Sequence, residues 1–273
     1  MTPTFPPVRA CLFDMDGLLI NTEDIYTKCA NIVLQKHGRP PLPWSIKAQM
    51  MGIPGSTNGD TFHNWAQLPI SREQFKTEQT EQQRIHFPEC APLPGVEKLL
   101  ADLQTATNRD GYEMQLALAT SSMQETFELK VKVPATKALI DRIPPDHRVI
   151  GDDPRVKRGK PAPDIYLMAL KCINETLPAD VPKITPRECL VFEDSPLGVE
   201  AGRRAGMRTV WIPHPELLGE YVGREADVLA GRIGLVVIGD EDQLGQPGDG
   251  WGEQLGSLEG FPYERYGIIP REM

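Results

Sequence analysis

The sequence is short of positive charge and has no long apolar run. Its 273 residues include 29 lysines and arginines against 38 aspartates and glutamates, which gives a net charge of −9. Surfaces that bind nucleic-acid polymers are basic, so we expect no such partner. No stretch is apolar enough to cross a bilayer, and residues 1–10 lack the apolar core of a signal peptide, so we expect no membrane partner.

Patterns typical of disulfides or zinc sites are also absent. The five cysteines are an odd number, lie far apart and form no C-x-x-C pair. We therefore expect reduced, mostly buried thiols and a cytoplasmic protein, with access to the nucleus left open. The histidines show no metal-ligand spacing and are expected to be structural. The cysteines are Cys11, Cys29, Cys90, Cys172 and Cys189.

Five short apolar runs are each followed by a helical pattern. Continuous apolar runs of this length suit strands buried on both faces, and their alternation with helices indicates an α/β fold with a doubly wound parallel sheet. Ser195 and Pro196 suit the start of one helix, and Gly206 suits its end. The runs are residues 8–13, 114–119, 147–150, 188–192 and 207–212.

A long insertion separates the first two predicted strands. Residues 20–92 contain two helical patterns and little that predicts a strand, so we expect a small helical cap over the end of the first strand. The core would then comprise residues 1–19 and 93–230. A C-terminal extension follows at 231–273, whose acidic, Gly-rich stretch is expected to be a surface loop or partly disordered. Residues 123–147 match no pattern.

Polar residues follow four of the five predicted strands, at the edge where ligands bind in doubly wound sheets. A cluster of carboxylates there needs a cation. Mg²⁺ is the candidate because it prefers oxygen ligands and keeps waters and phosphate oxygens in its shell. With a lysine and hydroxyl donors it forms a phosphate-binding set. The residues are Asp14 and Asp16, then Thr120, Ser121 and Ser122, then Lys160, and finally Glu193 and Asp194.

The spacing of Asp14 and Asp16 suits two chemical roles. One ionised aspartate can attack phosphorus and form an aspartyl-phosphate, while the other protonates the leaving oxygen and later activates water. The same residues also have structural interpretations. The aspartates could be turn residues before Gly17, and Lys160 could be a solvated lysine. The hydroxyl cluster of Thr120, Ser121 and Ser122 could be a helix cap. Both roles are compatible, because the amides of a helix N-terminus can also bind phosphate.

Four stretches resemble, in order, the motifs of the haloacid dehalogenase-like hydrolase superfamily. They are FDMDGLLINTEDIY, LALATSS, GKPAPDIY and FEDSPLGVEAGRRAG. The core is similar to the Rossmann-like domain of that superfamily, and the helical insertion to its C1 cap. Further stretches across most of the chain, chiefly GDDPRVKRGKPAPDIY, resemble pseudouridine-5'-phosphatases and related phosphatases of small sugar phosphates or nucleotides.

This resemblance implies a role for each matching residue. Asp14 would be the nucleophile and Asp16 the general acid/base. Thr120 would bind the transferring phosphoryl group, and Lys160 would offset its charge. The implied Mg²⁺ ligands are Asp14, the backbone carbonyl of Asp16, and Asp194, with Glu193 as a ligand or a neighbour of one.

Substrate contacts are expected from three small residues. Ser121 and Ser122 would meet the phosphate. Gly52 lies in the Gly-rich stretch 50–60, which either reaches over the site or is a plain loop between helices. The implied partner is a small phosphorylated metabolite, and a monomer is expected because the cap would already cover the site.

Three functions remain open. The first is Mg²⁺-dependent hydrolysis of a small phosphomonoester. Pseudouridine 5'-phosphate is the leading candidate, and 2-deoxyglucose 6-phosphate or glycerol phosphate are the alternatives. The second is a phosphomutase of the beta-phosphoglucomutase type, which is disfavoured because the resemblance implies a histidine where Tyr26 stands. The third is a non-catalytic binding protein with the same fold.

Overall fold

The computed structural model describes residues 5–51 and 55–271, with residues 55–59 described by their backbone alone. Eight strands and eleven α-helices lie within these ranges. The strands are β1 (Ala10–Phe13), β2 (Thr107–Asn108), β3 (Gln115–Ala119), β4 (Arg148–Val149), β5 (Cys189–Glu193), β6 (Arg208–Trp211), β7 (Gly252–Gln254) and β8 (Ile268–Ile269). The helices are α1 (Thr22–Lys36), α2 (Trp44–Lys47), α3 (Gly55–Ala66), α4 (Arg72–His86), α5 (Val96–Thr105), α6 (Gln124–Val131), α7 (Pro134–Ile140), α8 (Asp164–Thr176), α9 (Pro196–Arg204), α10 (Pro215–Glu220) and α11 (Glu225–Ala230).

Six strands form one parallel sheet in the order β4-β3-β1-β5-β6-β7. All five predicted strands are present, and the predicted α/β fold with a doubly wound parallel sheet is confirmed. β1 lies between β3 and β5, so that Leu12 pairs with Ala117 on one side and with Val191 on the other. The strand order reverses at β1, which opens a crevice beyond the carboxyl ends of these strands.

Different helices cover the two faces of the sheet. Side chains alternate across a strand, so Cys11 and Phe13 join one buried cluster, and Ala10 and Leu12 join another. Residues of α5 belong to the first cluster, and residues of α8 and α9 belong to the second. Burial on both faces explains why the strands are continuous apolar runs rather than alternating ones.

The helix α9 begins and ends where the sequence predicts. The hydroxyl of Ser195 accepts a hydrogen bond from the amide of Gly198 at 3.1 Å, and Pro196 opens the first turn. Gly206 follows the helix with a φ of +72°, which glycine adopts without steric strain. The N-cap places the amino end of α9 directly after the carboxylates that end β5.

Helices α1 to α4 all lie between β1 and β3 in chain order, as the predicted insertion requires. Helices α1, α3 and α4 share a small hydrophobic cluster, whereas Trp44 of α2 packs on a cluster that contains Val199 and Trp211 of the core. His63 packs edge-on against the rings of Phe62 and Phe75, and Trp65 packs on the same cluster as these rings. The buried members of the cluster are Val33, Leu34, Phe62, Ala66 and Phe75.

The C-terminal segment is bound to the core more closely than its composition indicates. Strand β7 extends the sheet beside β6, and Phe261 and Tyr266 are buried in the same cluster as Phe13. The acidic stretch before β7 is largely exposed, as predicted, and an ion pair between Asp249 and Arg203 anchors it. The strand sequence GEQ has no apolar pattern. It forms a strand because its backbone pairs with the edge of β6.

No helix within the described ranges is long and apolar enough to cross a membrane. The five cysteines are free and buried, as the sequence predicts. Burial raises the pKa of the Cys11 and Cys189 thiols, which keeps both protonated.

Candidate active site

Six of the predicted residues line one pocket of about 220 Å³ at the carboxyl ends of the central strands. This volume lies below the roughly 300–1,000 Å³ of pockets for drug-sized ligands and suits a small one. The six are Asp14, Asp16, Ser121, Ser122, Lys160 and Asp194. The other lining residues are Glu23, Tyr26, Met51, Met123, Thr126 and Ser195.

Lys160 is buried against the first aspartate of the pocket. Its Nζ lies 2.5 Å from Asp14 Oδ1, 2.5 Å from Glu193 Oε1 and 3.2 Å from the Ala119 carbonyl oxygen. Burial raises the pKa of Asp14 to about 7, the Lys160 charge opposes the rise, and the neighbouring Glu193 and Asp16 add to it. Lys160 is therefore a paired, buried cation and not the solvated lysine of the structural interpretation.

The donor set at the end of β1 and β5 fits a divalent cation. One carboxylate oxygen each from Asp14, Glu193 and Asp194 lies within 4.8 Å of the other two. Asp194 Oδ2 is buried and has no hydrogen-bond partner among the described residues. Burial, reinforced by repulsion from Glu193 and Asp14, raises the pKa of Asp194. Hard oxygen donors that repel one another, one of them without a hydrogen-bond partner, are the environment in which Mg²⁺ binds.

Glu193 is the member of this set whose oxygens already have protein partners. Its Oε1 accepts from Lys160 and from the Tyr166 hydroxyl at 2.6 Å. Its Oε2 accepts from the amides of Asp194 and Ser195, at 3.1 and 3.2 Å. These contacts orient Asp194 and Lys160. Of the two roles predicted for Glu193, they favour that of a neighbour of a metal ligand over that of a ligand.

Gly17 allows the turn that brings the two motifs together. Its φ is +79°, and a Cβ at this position would collide with the Asp194 carboxylate and lie 2.8 Å from Glu23 Cγ. Any other residue would therefore strain the backbone and displace the carboxylate. The glycine after the D-x-D pair is required by the close approach of Asp194.

Asp16 lies in a different environment from Asp14. Its Oδ1 is 2.5 Å from Lys130 Nζ, and its Oδ2 accepts from the Ser122 hydroxyl at 2.6 Å. Burial would raise the pKa of Asp16, but the charge and hydrogen bond of Lys130 and the Ser122 hydrogen bond together lower it. The two aspartates thus have pKa values shifted in opposite directions, because burial dominates at Asp14 and the partners Lys130 and Ser122 dominate at Asp16.

The hydroxyl cluster after β3 divides into two parts. Ser121 and Ser122 line the pocket, whereas Thr120 is fully buried and does not. The Thr120 hydroxyl accepts from the Ser122 amide at 3.1 Å and lies 3.4 Å from Asp16 Oδ2. Thr120 therefore supports the loop that presents Ser122. Gly52 lies outside the described residues.

The residue that sequence reasoning missed is Lys130, which lies in the stretch 123–147 that matched no pattern. Helix α6 has no clear apolar face, so a lysine near its end shows no sign of burial. The usable signal was Phe127, one turn earlier on the same face, which packs on the main core. Glu23 and Met123 were also missed as lining residues, because Glu23 has no assigned role within the first motif and Met123 lies just beyond the second.

In the absence of a divalent cation, we expect the contribution of Asp14 to the stability of the protein to fall as the pH rises from about 4 to about 7. The pKa of an aspartate is 3.8 in the unfolded chain, whereas that of Asp14 in the fold is about 7. The folded state therefore binds more protons across this range, and raising the pH favours the unfolded state, by on the order of a few kcal/mol in total. Bound Mg²⁺ should remove this loss because it stabilises the ionised carboxylates.

Thermal unfolding across this pH range, in chelator and in Mg²⁺, measures both effects. In chelator, Asp14→Asn should remove the contribution of Asp14 to the pH dependence of stability. Asp146→Asn, at an exposed position, should leave that pH dependence unchanged. Stabilisation by Mg²⁺ of equal size at acidic and neutral pH would contradict the account.

Comparisons with known proteins agree with this geometry. The family model described as haloacid dehalogenase-like hydrolase matches residues 11–212. The Saccharomyces cerevisiae protein named "Probable pseudouridine-5'-phosphatase" is 37% identical over 264 residues, which cover 96% of this chain and 98% of the relative. The mitochondrial (DL)-glycerol-3-phosphatase 1 of Arabidopsis thaliana is 34% identical over 81% of this chain and 70% of its own length.

Solved structures share the fold. The crystal structure of beta-phosphoglucomutase from Clostridium difficile superposes with a TM-score of 0.57, over 78% of this chain and 88% of its own, at 21% identity. The matched family model spans β1, β3, β5 and β6, and thus every strand end that contributes to the pocket. This chain belongs to the haloacid dehalogenase-like hydrolase family.

Proposed function

We propose that this protein is a Mg²⁺-dependent phosphatase that hydrolyses a small phosphomonoester through an aspartyl-phosphate on Asp14. The observation that carries the proposal is the convergence of Asp14, Asp16, Lys160 and Asp194 on one small pocket. The family match and the phosphatases among the relatives support it. A non-catalytic protein would have no need to hold two buried lysines against these carboxylates.

Asp14 and Asp194 would hold the Mg²⁺ with the backbone carbonyl of Asp16. When bound, Mg²⁺ supplies positive charge that stabilises the oxygens of the transferring phosphoryl group. Lys160 supplies a second positive charge on the Asp14 side, and its three acceptors keep its Nζ fixed there. Ser121 would bind the phosphoryl oxygens from the β3 side of the pocket, because the amide and hydroxyl hydrogens of Ser122 are donated to Thr120 and Asp16.

The reaction would proceed in two displacements at phosphorus. In the first, a carboxylate oxygen of Asp14 forms a bond to phosphorus, the bond to the ester oxygen breaks, and Asp16 donates a proton to that oxygen. In the second, Asp16 takes a proton from water, the water oxygen attacks phosphorus, and the bond to Asp14 breaks. Phosphate leaves, and both aspartates return to their initial states.

The organic part of the substrate would contact the lining residues that the phosphoryl group does not use. Glu23 is the acceptor among them, and its Oε2 is held at 3.0 Å by the buried Lys47. The pseudouracil ring carries one more N–H than the uracil ring of uridine, because its glycosidic bond is made through carbon. An oriented carboxylate with apolar Met51 and Met123 beside it suits such a ring. Pseudouridine 5'-phosphate is therefore the substrate that we propose.

Tyr26 favours hydrolysis over the phosphomutase alternative. Its hydroxyl accepts from Lys130 at 2.9 Å, and burial raises its pKa to about 12 despite the opposing charge of Lys130. It stays protonated at neutral pH and cannot act there as the base that activates a sugar hydroxyl. This difference from the histidine of the mutases supports water, rather than a sugar hydroxyl, as the acceptor of the phosphoryl group.

Phosphate release from a panel of esters tests the proposal. We expect Mg²⁺-dependent release, abolished by chelator, and kcat/KM at least about tenfold higher for pseudouridine 5'-phosphate than for uridine 5'-phosphate, since one well-placed hydrogen bond to a charged group contributes about 1.5–3 kcal/mol. Glycerol phosphate, 2-deoxyglucose 6-phosphate and beta-glucose 1-phosphate complete the panel.

The outcomes separate the alternatives. Preference for glycerol phosphate or 2-deoxyglucose 6-phosphate would retain the mechanism and replace the substrate. Isomerisation of beta-glucose 1-phosphate without release of phosphate would indicate a mutase. Glu23→Gln should reduce the preference for pseudouridine 5'-phosphate over uridine 5'-phosphate, whereas Asp24→Asn, at the exposed neighbouring position, should leave it as it is.

A further inference from the structure

A second lysine is buried at the site, and no motif accounts for it. The side chain of Lys130 is fully buried near the end of α6. Its Nζ lies 2.5 Å from Asp16 Oδ1, 2.7 Å from Ser122 Oγ and 2.9 Å from the Tyr26 hydroxyl. An ammonium group has three hydrogens, so these three contacts use all of them.

The contacts of Lys130 hold the Asp16 carboxylate at both ends. Lys130 binds Oδ1 directly, and it also binds Ser122 Oγ, which in turn donates to Asp16 Oδ2. The rings of Tyr26 and Phe87 lie 5.0 and 5.2 Å from Nζ and surround the ammonium with aromatic faces. This arrangement leaves the carboxylate of Asp16 little freedom to rotate.

Lys160 and Lys130 pair with different aspartates of the pocket. Lys160 pairs with Asp14 and Glu193, whereas Lys130 pairs with Asp16 alone among the carboxylates. Stability does not explain Lys130, because replacing a buried ion pair with well-packed apolar residues is often neutral or stabilising. The position of Lys130 is better explained by its effect on the orientation of the Asp16 carboxylate.

We propose that Lys130 is the positioning residue of Asp16, and that it holds the carboxylate where it can exchange a proton with the leaving oxygen and then with water. The inference rests on the proposed phosphatase function, in which Asp16 is the general acid/base. Lys130 itself does not touch the transferring phosphoryl group. Its removal should therefore slow the proton-transfer steps and leave substrate binding nearly intact.

The test compares two kinds of ester in Lys130→Met, which keeps the length of the side chain and removes the ammonium. For the best alkyl phosphate of the panel, kcat should fall about 10²-fold, because a misplaced catalytic group loses about that much. KM should change less than about threefold, because ground-state binding is retained. The pre-steady-state burst of p-nitrophenolate from p-nitrophenyl phosphate should slow less than about tenfold, because its weakly basic leaving oxygen needs little protonation.

A double-mutant cycle separates action through Asp16 from a structural effect. Added to Asp16→Asn, Lys130→Met should lower kcat for the alkyl ester by less than about threefold, because its target is already removed. Lys132→Met, at the exposed C-cap of the same helix, is the matched control and should retain wild-type kinetics. If Lys130→Met does not fold, Lys130→Gln retains a donor to Asp16 and should show a smaller loss with the same dependence on the leaving group.

Two results would overturn the inference. One is an equal loss for the alkyl ester and for the p-nitrophenolate burst. The other is full additivity of Lys130→Met with Asp16→Asn. The proposed function fails in a different way, through a wild-type protein that releases no phosphate from any ester, and that result would overturn both.

Discussion

Asp14→Asn should lower kcat for phosphate release by about 10⁴-fold or more, the loss that follows removal of a covalent nucleophile. The amide that replaces the carboxylate has nearly the same shape but cannot attack phosphorus. No phosphoenzyme should then be trapped by acid quench during turnover, whereas the wild-type protein should yield one. Phosphate release in Mg²⁺, together with the acid-quench experiment, measures the effect.

Loss of the fold should not be the cause. The substitution removes one carboxylate from a set that repels itself, so in chelator at about pH 8 the variant should unfold at the same temperature as the wild type or higher. Asp146→Asn, at an exposed position, is the matched control and should retain full activity. Substantial turnover by a folded Asp14→Asn protein would exclude Asp14 as the nucleophile.

Lys160→Met should have the largest effect on stability, lowering the free energy of unfolding by about 3–5 kcal/mol at neutral pH and above. The lysine is the shared partner of Asp14 and Glu193, and its removal leaves two buried carboxylates without their counter-charge. The loss should shrink at acidic pH, where protonation of Asp14 relieves the repulsion. Denaturant unfolding in chelator measures it.

Activity should fall together with stability in this variant. Without the cation beside Asp14, the charge that develops on the transferring phosphoryl group loses one of its two stabilising partners, and kcat should fall by about 10²–10³-fold. Lys157→Met, an exposed lysine of the same loop, should change neither quantity. A Lys160→Met protein as stable as the wild type at about pH 8 would show that the pair with Asp14 and Glu193 contributes nothing to the fold.

The sheet could be predicted because its strands are local features. Four of the five predicted strands are buried on both faces, so each of them has an apolar run in the sequence, whereas the short edge strand β4 buries only Val149. Strand β7 has no apolar run and could not be predicted, because it forms by pairing with the edge of β6. The packing of Phe261 and Tyr266 on the core could not be predicted either, because the composition of their segment is acidic and Gly-rich.

The site could be predicted in part, for the same reason. Asp14, Lys160 and Asp194 follow strand ends, and strand ends of a parallel sheet meet whatever lies between them in the chain. Lys130 is not at a strand end. It reaches Asp16 only because α6 packs so that its last turn faces the pocket, which depends on contacts such as that of Phe127 with the core.

By itself the sequence determined the parallel sheet, the helix that follows Ser195 and the set of carboxylates that would hold a cation, since each follows from neighbouring residues or from a strand end. Tertiary structure alone decided that Thr120 supports its loop while Ser122 lines the pocket, and that five protein donors hold Glu193 beside Asp194. It also decided that the two aspartates differ, one paired with Lys160 and the other with Lys130. A pKa and a hydrogen-bond network depend on which groups surround a side chain in space, and that surrounding comes from residues more than a hundred positions apart.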